Sequence, residues 1–121
     1  MKFINPLPFV RDIAISKAFY TDIMQLEIIE DHGNFVRFSG GFALHDGQSL
    51  HQTIFTTAPE TAPFGRDNLV LYFEDENLAQ AFARISPHVP VIHPIEIQAW
   101  GQNVFRFYDP DHQIIEIGEL H

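Results

Sequence analysis

Glu116 is the first residue in this sequence to demand a chemical explanation. It stands between Ile115 and Ile117 in a short, strongly apolar run. A carboxylate in such a run must meet water, a donor, a cation or a metal, because burying it alone is very costly. Arg106 lies in the preceding run, Asn103 to Tyr108. If the turn between the two runs holds an odd number of residues, Arg106 faces the same side as Glu116, and a cross-strand ion pair satisfies both. Structural ion pairs imitate functional sites, so a paired structural carboxylate and a site carboxylate both stay open.

Other residues carry chemistry of their own. His45 shares a strand face with Ala43, opposite Phe42 and Leu44. Its imidazole can hold a metal, or be satisfied by one hydrogen bond at a strand end. His93 precedes Pro94 and reads either as a base, with an ordinary pKa of about 6.5, or as a surface residue beside a proline turn. Trp100, the sole tryptophan, adjoins Gly101 and reads as a stacking platform for a flat ligand or as a structural plug. His32 and His51 read as solvated. Phe19 and Tyr20 fall at helical spacing and read as core.

Composition narrows the chemistry. There is no cysteine, which excludes disulfides, thiolate ligands and a cysteine nucleophile. Any metal would need His, Asp or Glu and would be a borderline or hard ion. The net charge of −9 with His neutral repels phosphate backbones and anionic membrane surfaces, so neither nucleic acid nor membrane is an expected partner. No apolar run approaches the ~20 residues of a membrane span. The first residues, Met-Lys-Phe-Ile-Asn-Pro, lack the features of a signal peptide, and a cytoplasmic location is expected.

The elements that must position these residues follow in order. Lys2 to Val10 reads as a strand, but Pro6 and Pro8 restrict it to an edge or to irregular pairing. Asp12 caps a helix over Ile13 to Met24 with a core-facing stripe. Three short strands follow: Leu26 to Glu30, Phe35 to Ser39 and Phe42 to His45. Asp46 to Asp67 lacks clear periodicity and reads as a crossover, with room for a short helix. Asn68 to Phe73 is a strand. Asp75 is expected to cap a helix over Glu76 to Ser86, with Leu78, Phe82 and Ile85 as its buried stripe. Val89 to Gln98 is strand-like, interrupted by Pro90 and Pro94. Asn103 to Tyr108, a turn at Asp109-Pro-Asp111, and Gln113 to Gly118 complete the chain. At 121 residues one domain is expected, with a module over about 1–46, a crossover over about 47–67 and a second module over about 68–121. The fold class is α+β: two βαβββ modules packed to form a cleft lined by mixed sheets. Clefts between modules are where ligands usually bind.

Two patches carry a family resemblance. Tyr108-Asp-Pro-Asp-His-Gln-Ile-Ile-Glu116-Ile-Gly-Glu119 resembles the C-terminal signature of the vicinal oxygen chelate superfamily, which includes glyoxalase I, the extradiol dioxygenases and the bleomycin- and fosfomycin-resistance proteins. Val10-Arg-Asp-Ile-Ala-Ile-Ser-Lys-Ala-Phe-Tyr20, followed by Leu26, resembles the family's first strand-to-helix passage. The resemblance spans the whole chain and is specific for fold rather than activity. It implies that Glu116 occupies a metal-ligand position and that His45 lies at or near another. The two remaining ligand positions hold Asn5 and Asn68, and an amide is a poor ligand for zinc or iron. It also implies a homodimer.

Two function classes follow. In one, the chain binds a small, partly aromatic molecule without a complete family-type metal site. Phe9, Tyr72, Trp100 and Tyr108 line the pocket, Arg106 and Glu116 set its polarity, and Asn5, His45, Asn68 and His93 add polar contacts. In the other, it is a divalent-metal-dependent lyase or dioxygenase with one Zn, Ni, Mn or Fe ion held by Glu116 and His45, polarising paired substrate oxygens.

Overall fold

The computed structural model describes residues 1–59 and 64–121. Two compact units divide the chain, Met1–Phe64 and Gly65–His121.

The first unit runs β1 (Phe9–Val10), α1 (Ile13–Ala18), β2 (Ile28–Asp31), β3 (Phe35–Phe38), β4 (Ala43–Asp46) and α2 (Gly47–Phe55). The second runs β5 (Val70–Asp75), α3 (Leu78–Ile85), β6 (Val91–Ile97), β7 (Asn103–Tyr108) and β8 (Ile114–Glu119). Each unit builds one four-stranded sheet, ordered β1-β4-β3-β2 in the first and β5-β8-β7-β6 in the second. The first and last strands of each unit pair in parallel and the other neighbours are antiparallel. A parallel pair needs a long connection, and the helix after the first strand begins it. The α+β class and the twofold βαβββ pattern are therefore those the sequence predicts. Among the described residues no helix is long and apolar enough to cross a membrane.

Several boundaries differ from expectation. The Lys2–Val10 strand shrinks to Phe9–Val10, because Pro6 and Pro8 have no N–H to give a ladder. Pairing starts where the Pro8 carbonyl accepts from the His45 N–H at 3.1 Å. Asp12 does cap α1, its Oδ1 accepting from the amides of Ala14 (3.0 Å) and Ile15 (3.2 Å). The expected helix to Met24 loosens into a π turn over Phe19–Ile23. The cap of α3 is Asn77, not Asp75. Asn77 Oδ1 accepts from Gln80 N at 3.1 Å, while Asp75 Oδ1 accepts from Asn77 N at 2.8 Å and so makes the turn before the cap. The crossover contains α2, capped by Asp46 through Ser49 N at 2.9 Å, and its residues 60–63 lie outside the described residues.

Alternation along the strands separates core from open face. In β8, Ile115 and Ile117 are buried with Phe105 and Phe107 of β7, and Phe82 of α3 packs edge-on against Phe105 at 5.1 Å. Tyr20, Phe38 and Leu44 fill the core of the first unit. The opposite face of β7 and β8 carries Arg106 and Glu116.

Candidate functional site

The turn over residues 109–113 holds an odd number of residues between the paired Tyr108 and Ile114, and this places Arg106 directly opposite Glu116. Asp109 builds the turn. It is buried, and its Oδ1 accepts from the amides of Asp111 (2.9 Å) and Gln113 (2.8 Å). On β5 the residue opposite Glu116 is Tyr72, and on β6 the residue opposite Arg106 is His93. One side chain from each of the four strands thus forms a row across the open face: Tyr72, Glu116, Arg106, His93.

Arg106 ties the row together. Its Nε donates to Glu116 Oε1 at 2.6 Å, and its Nη1 and Nη2 each donate to Gln98 Oε1 at 3.2 Å. Nη1 also lies 2.9 Å from His93 Nε2, while His93 Nδ1 lies 2.7 Å from the Pro94 carbonyl. A guanidinium only donates and a carbonyl only accepts. These contacts therefore assign His93 as the Nδ1–H tautomer with its Nε2 lone pair on Arg106. Both ring nitrogens are engaged. The Glu116 and Arg106 side chains keep only 13% and 24% of their exposure, so the pair is held largely away from water.

A second network adjoins the row at Tyr72. Gln102 is 2% exposed. Its Oε1 accepts from the Trp100 indole N–H at 2.8 Å, and its Nε2 donates to Tyr72 Oη at 2.8 Å and to the Glu119 carbonyl at 2.7 Å. Tyr72 Oη donates to Glu74 Oε2 at 2.5 Å. Burial first, and then this bond to Glu74, push the Tyr72 phenol above its ordinary pKa, with Gln102 acting the other way. Tyr108, on the Arg106 face of β7, donates to Asp67 Oδ1 at 2.8 Å and stacks on His112 at 3.7 Å. The Asp67 contact is the main cause of its raised pKa.

The first unit repeats the ladder geometry with other side chains. Opposite His45 stand Phe9 on β1 and Phe35 on β3, where Glu116 has Tyr72 and Arg106. His45 Nδ1 lies 3.0 Å from the Asp46 carbonyl, which leaves Nε2 as the acceptor of the ring. Asn5 and Asn68 lie outside both ladders, in irregular chain ahead of β1 and β5. Asn5 Nδ2 donates to the Pro6 carbonyl at 2.9 Å, and Asn68 is exposed. The structure therefore brings together Tyr72, Glu116, Arg106 and His93, with Trp100 joined through Gln102. In the first unit Phe9 and His45 stand opposite each other. Gln98, Gln102 and Glu74 were not singled out from the sequence. The sequence hint to Gln102 was its place just after the Trp100-Gly101 turn.

Members of this kind of fold often use a divalent metal, and the donor set can be tested for one. Glu116 is committed to a guanidinium, and its other ladder neighbour is a phenol. A cation placed on that carboxylate would sit beside Arg106 and be repelled by it. Among the described residues no three of His, Cys, Asp and Glu converge as a metal centre would require. Arg106 thus holds Glu116 Oε1, the oxygen that a cation would otherwise approach.

Over residues 3–120 the sequence matches the family described as glyoxalase-like domain. The chain belongs to that family, and so to the vicinal oxygen chelate superfamily that its two end motifs resemble. It is similar to a crystal structure of a protein of unknown function from Agrobacterium tumefaciens str. C58, with 55% identity, 100% of this chain and 95% of that chain covered, and a TM-score of 0.96. A glyoxalase-related enzyme from Fulvimarina pelagi shares 15% identity over 98% of this chain and 88% of that one, with a TM-score of 0.79. A lactoylglutathione lyase from Agrobacterium tumefaciens shares 21% over 98% and 92%, with a TM-score of 0.72. At such identities the last two show the fold alone. No curated protein matches the sequence.

Proposed function

We propose that this chain binds a small, partly aromatic organic molecule on the open face of its second sheet, and does so without a family-type metal ion. The observation that carries this reading is the row Tyr72–Glu116–Arg106–His93. Its one carboxylate in a ligand-like position is neutralised by a guanidinium, and Tyr72 and His93 stand on either side of that pair. Superfamily members commonly bind small molecules and form dimers. The reading includes a cytoplasmic location and a homodimer, the latter supported by the exposed apolar side chains of Phe3, Ile4 and Leu7 ahead of β1.

The test is metal content together with a ligand screen. Untagged protein and its Glu116→Gln variant are incubated with Zn, Ni, Mn or Fe ions, and bound metal is counted. The expected result is no metal that depends on Glu116. Roughly one equivalent per chain, lost in the variant, would overturn the reading in favour of a metal-dependent lyase or dioxygenase with Glu116 as ligand. A screen of neutral and charged aromatic compounds against the Trp100 indole signal should then yield binders. Light scattering at micromolar concentration checks the dimer.

A further inference from the structure

We infer that Trp100 and Tyr72 form an aromatic seat for a flat organic cation, and that Gln102 is the positioning residue that holds both rings. This rests on the binding reading above and specifies its ligand class.

Gln102 has the properties of a built support. A buried amide must have its donors and acceptor satisfied, and here three groups satisfy them. The indole N–H can only donate and the Glu119 carbonyl can only accept, so the amide has one orientation. Its oxygen faces Trp100, and its nitrogen faces Tyr72 and Glu119. Gly118 makes room for it. A Cβ at that position would lie 2.4 Å from Gln102 Nε2 and 3.0 Å from its Cδ. One amide thus fixes the polar tips of two aromatic side chains that come from different parts of the chain.

The rings themselves stay accessible, with Trp100 53% and Tyr72 47% exposed. With the indole N–H and the phenol oxygen both engaged, what these side chains offer a ligand is ring surface. A flat molecule gains from stacking on such surface. The bonds at their polar tips restrict both rings, so binding has less to immobilise.

The charge around the seat selects a cation. Tyr72 donates its hydroxyl proton to the Glu74 carboxylate at 2.5 Å. A charge-assisted bond of this kind leaves the ring more electron-rich, and an electron-rich ring face attracts cations. Glu74 itself is exposed beside the ring. The guanidinium of the same row, Arg106, is already neutralised by Glu116, so an anionic ligand finds no spare positive charge there. The chain as a whole carries a net −9.

The chain has one tryptophan, so 15N-labelled protein shows one indole N–H signal, which reports on the seat directly. Three flat probes of similar size are titrated at pH 7.5: N-methylquinolinium as cation, quinoline as neutral ring and 2-naphthoate as anion. N-methylquinolinium should shift the indole signal saturably and bind about fivefold or more tighter than quinoline, with 2-naphthoate weakest. Glu74→Gln should narrow the gap between cation and neutral ring while leaving quinoline unchanged. Gln102→Ala should weaken N-methylquinolinium about tenfold and speed solvent exchange of the indole proton, which no longer has an acceptor. Because Gln102 is buried, Tyr72→Phe serves as the second variant. It keeps the ring, cuts it from Gln102 and Glu74, and should reduce the preference for the cation while melting close to the parent.

Equal affinities for the three probes, or tightest binding of 2-naphthoate, would overturn the cation inference and leave small-molecule binding standing. Unchanged affinity in a folded Gln102→Ala protein would overturn its positioning role. An indole signal moved by no probe would overturn the seat. The binding reading itself falls only if the wider aromatic screen also yields nothing.

Discussion

Replacing Arg106 by Met tests the row most directly, because it removes the guanidinium and keeps the apolar stem. The change deletes the 2.6 Å bond to Glu116 and the contacts to Gln98 and His93. It leaves a carboxylate whose side chain is only 13% exposed without its cation. Breaking a fully buried pair from one side costs about 3–5 kcal/mol. Arg106 is 24% exposed, and water can reach part of the vacated site, so the expected loss is about 2–3 kcal/mol. Glu116→Gln keeps an oxygen for Arg106 Nε and should cost about 1 kcal/mol. The double variant Arg106→Met/Glu116→Leu replaces the pair with apolar groups and should recover part of the loss, since such replacements are often neutral. Urea unfolding followed by Trp100 fluorescence reports on the second unit, which holds the only tryptophan. A loss below about 0.5 kcal/mol for Arg106→Met would place the pair among ordinary solvated ion pairs and refute its role as the organiser of the face.

Three further outcomes are expected. Gly118→Ala should push the Gln102 amide out of place, cost about 1–3 kcal/mol for its broken bonds and shift the indole resonance, as melting and NMR would show. Asp12→Ala should cost about 1 kcal/mol by removing the cap of α1, measured by urea unfolding. The pH dependence should run in two directions. The Glu30 pKa is lowered by its bonds to Arg37 and His32, and that of Asp31 by Lys17 and the Gly33 amide. Their stabilisation is present above the ordinary carboxylate values and is lost as the pH falls below about 4, so the double variant Glu30→Gln/Asp31→Asn should show a flatter acid limb. The raised Tyr72 and Tyr108 stabilise below pH about 10 and lose that contribution as the pH rises further, which an ultraviolet titration of the phenols would follow.

What the sequence revealed depended on how local the signal was. The helix stripe of Leu78, Phe82 and Ile85 and the alternation around Glu116 are local, and both elements form where the pattern places them. The Arg106–Glu116 register could be stated conditionally, because it turned only on the parity of the turn. The proline-bearing start was legible as irregular, but its length was not, since Pro8 contributes its carbonyl and the ladder can begin only after it. Asp75 and Asn77 are both good caps, and only the backbone path decides between them. Gln102 was the least legible residue of the site. Its importance comes from contacts with Tyr72 and Glu119, far away in sequence, and from the missing Cβ of Gly118, and none of these leaves a local pattern.

The two ladders have a consequence for tolerance to substitution. Phe9–His45–Phe35 and Tyr72–Glu116–Arg106 occupy the same rungs of two sheets with the same strand order, yet they share no residue type. Backbone bonds hold the rungs, so side chains there can change without dismantling the strands. One sheet carries a charge-balanced rung and the other an aromatic one on the same backbone frame. A substitution on one rung is therefore expected to leave the ladder of the other unit intact.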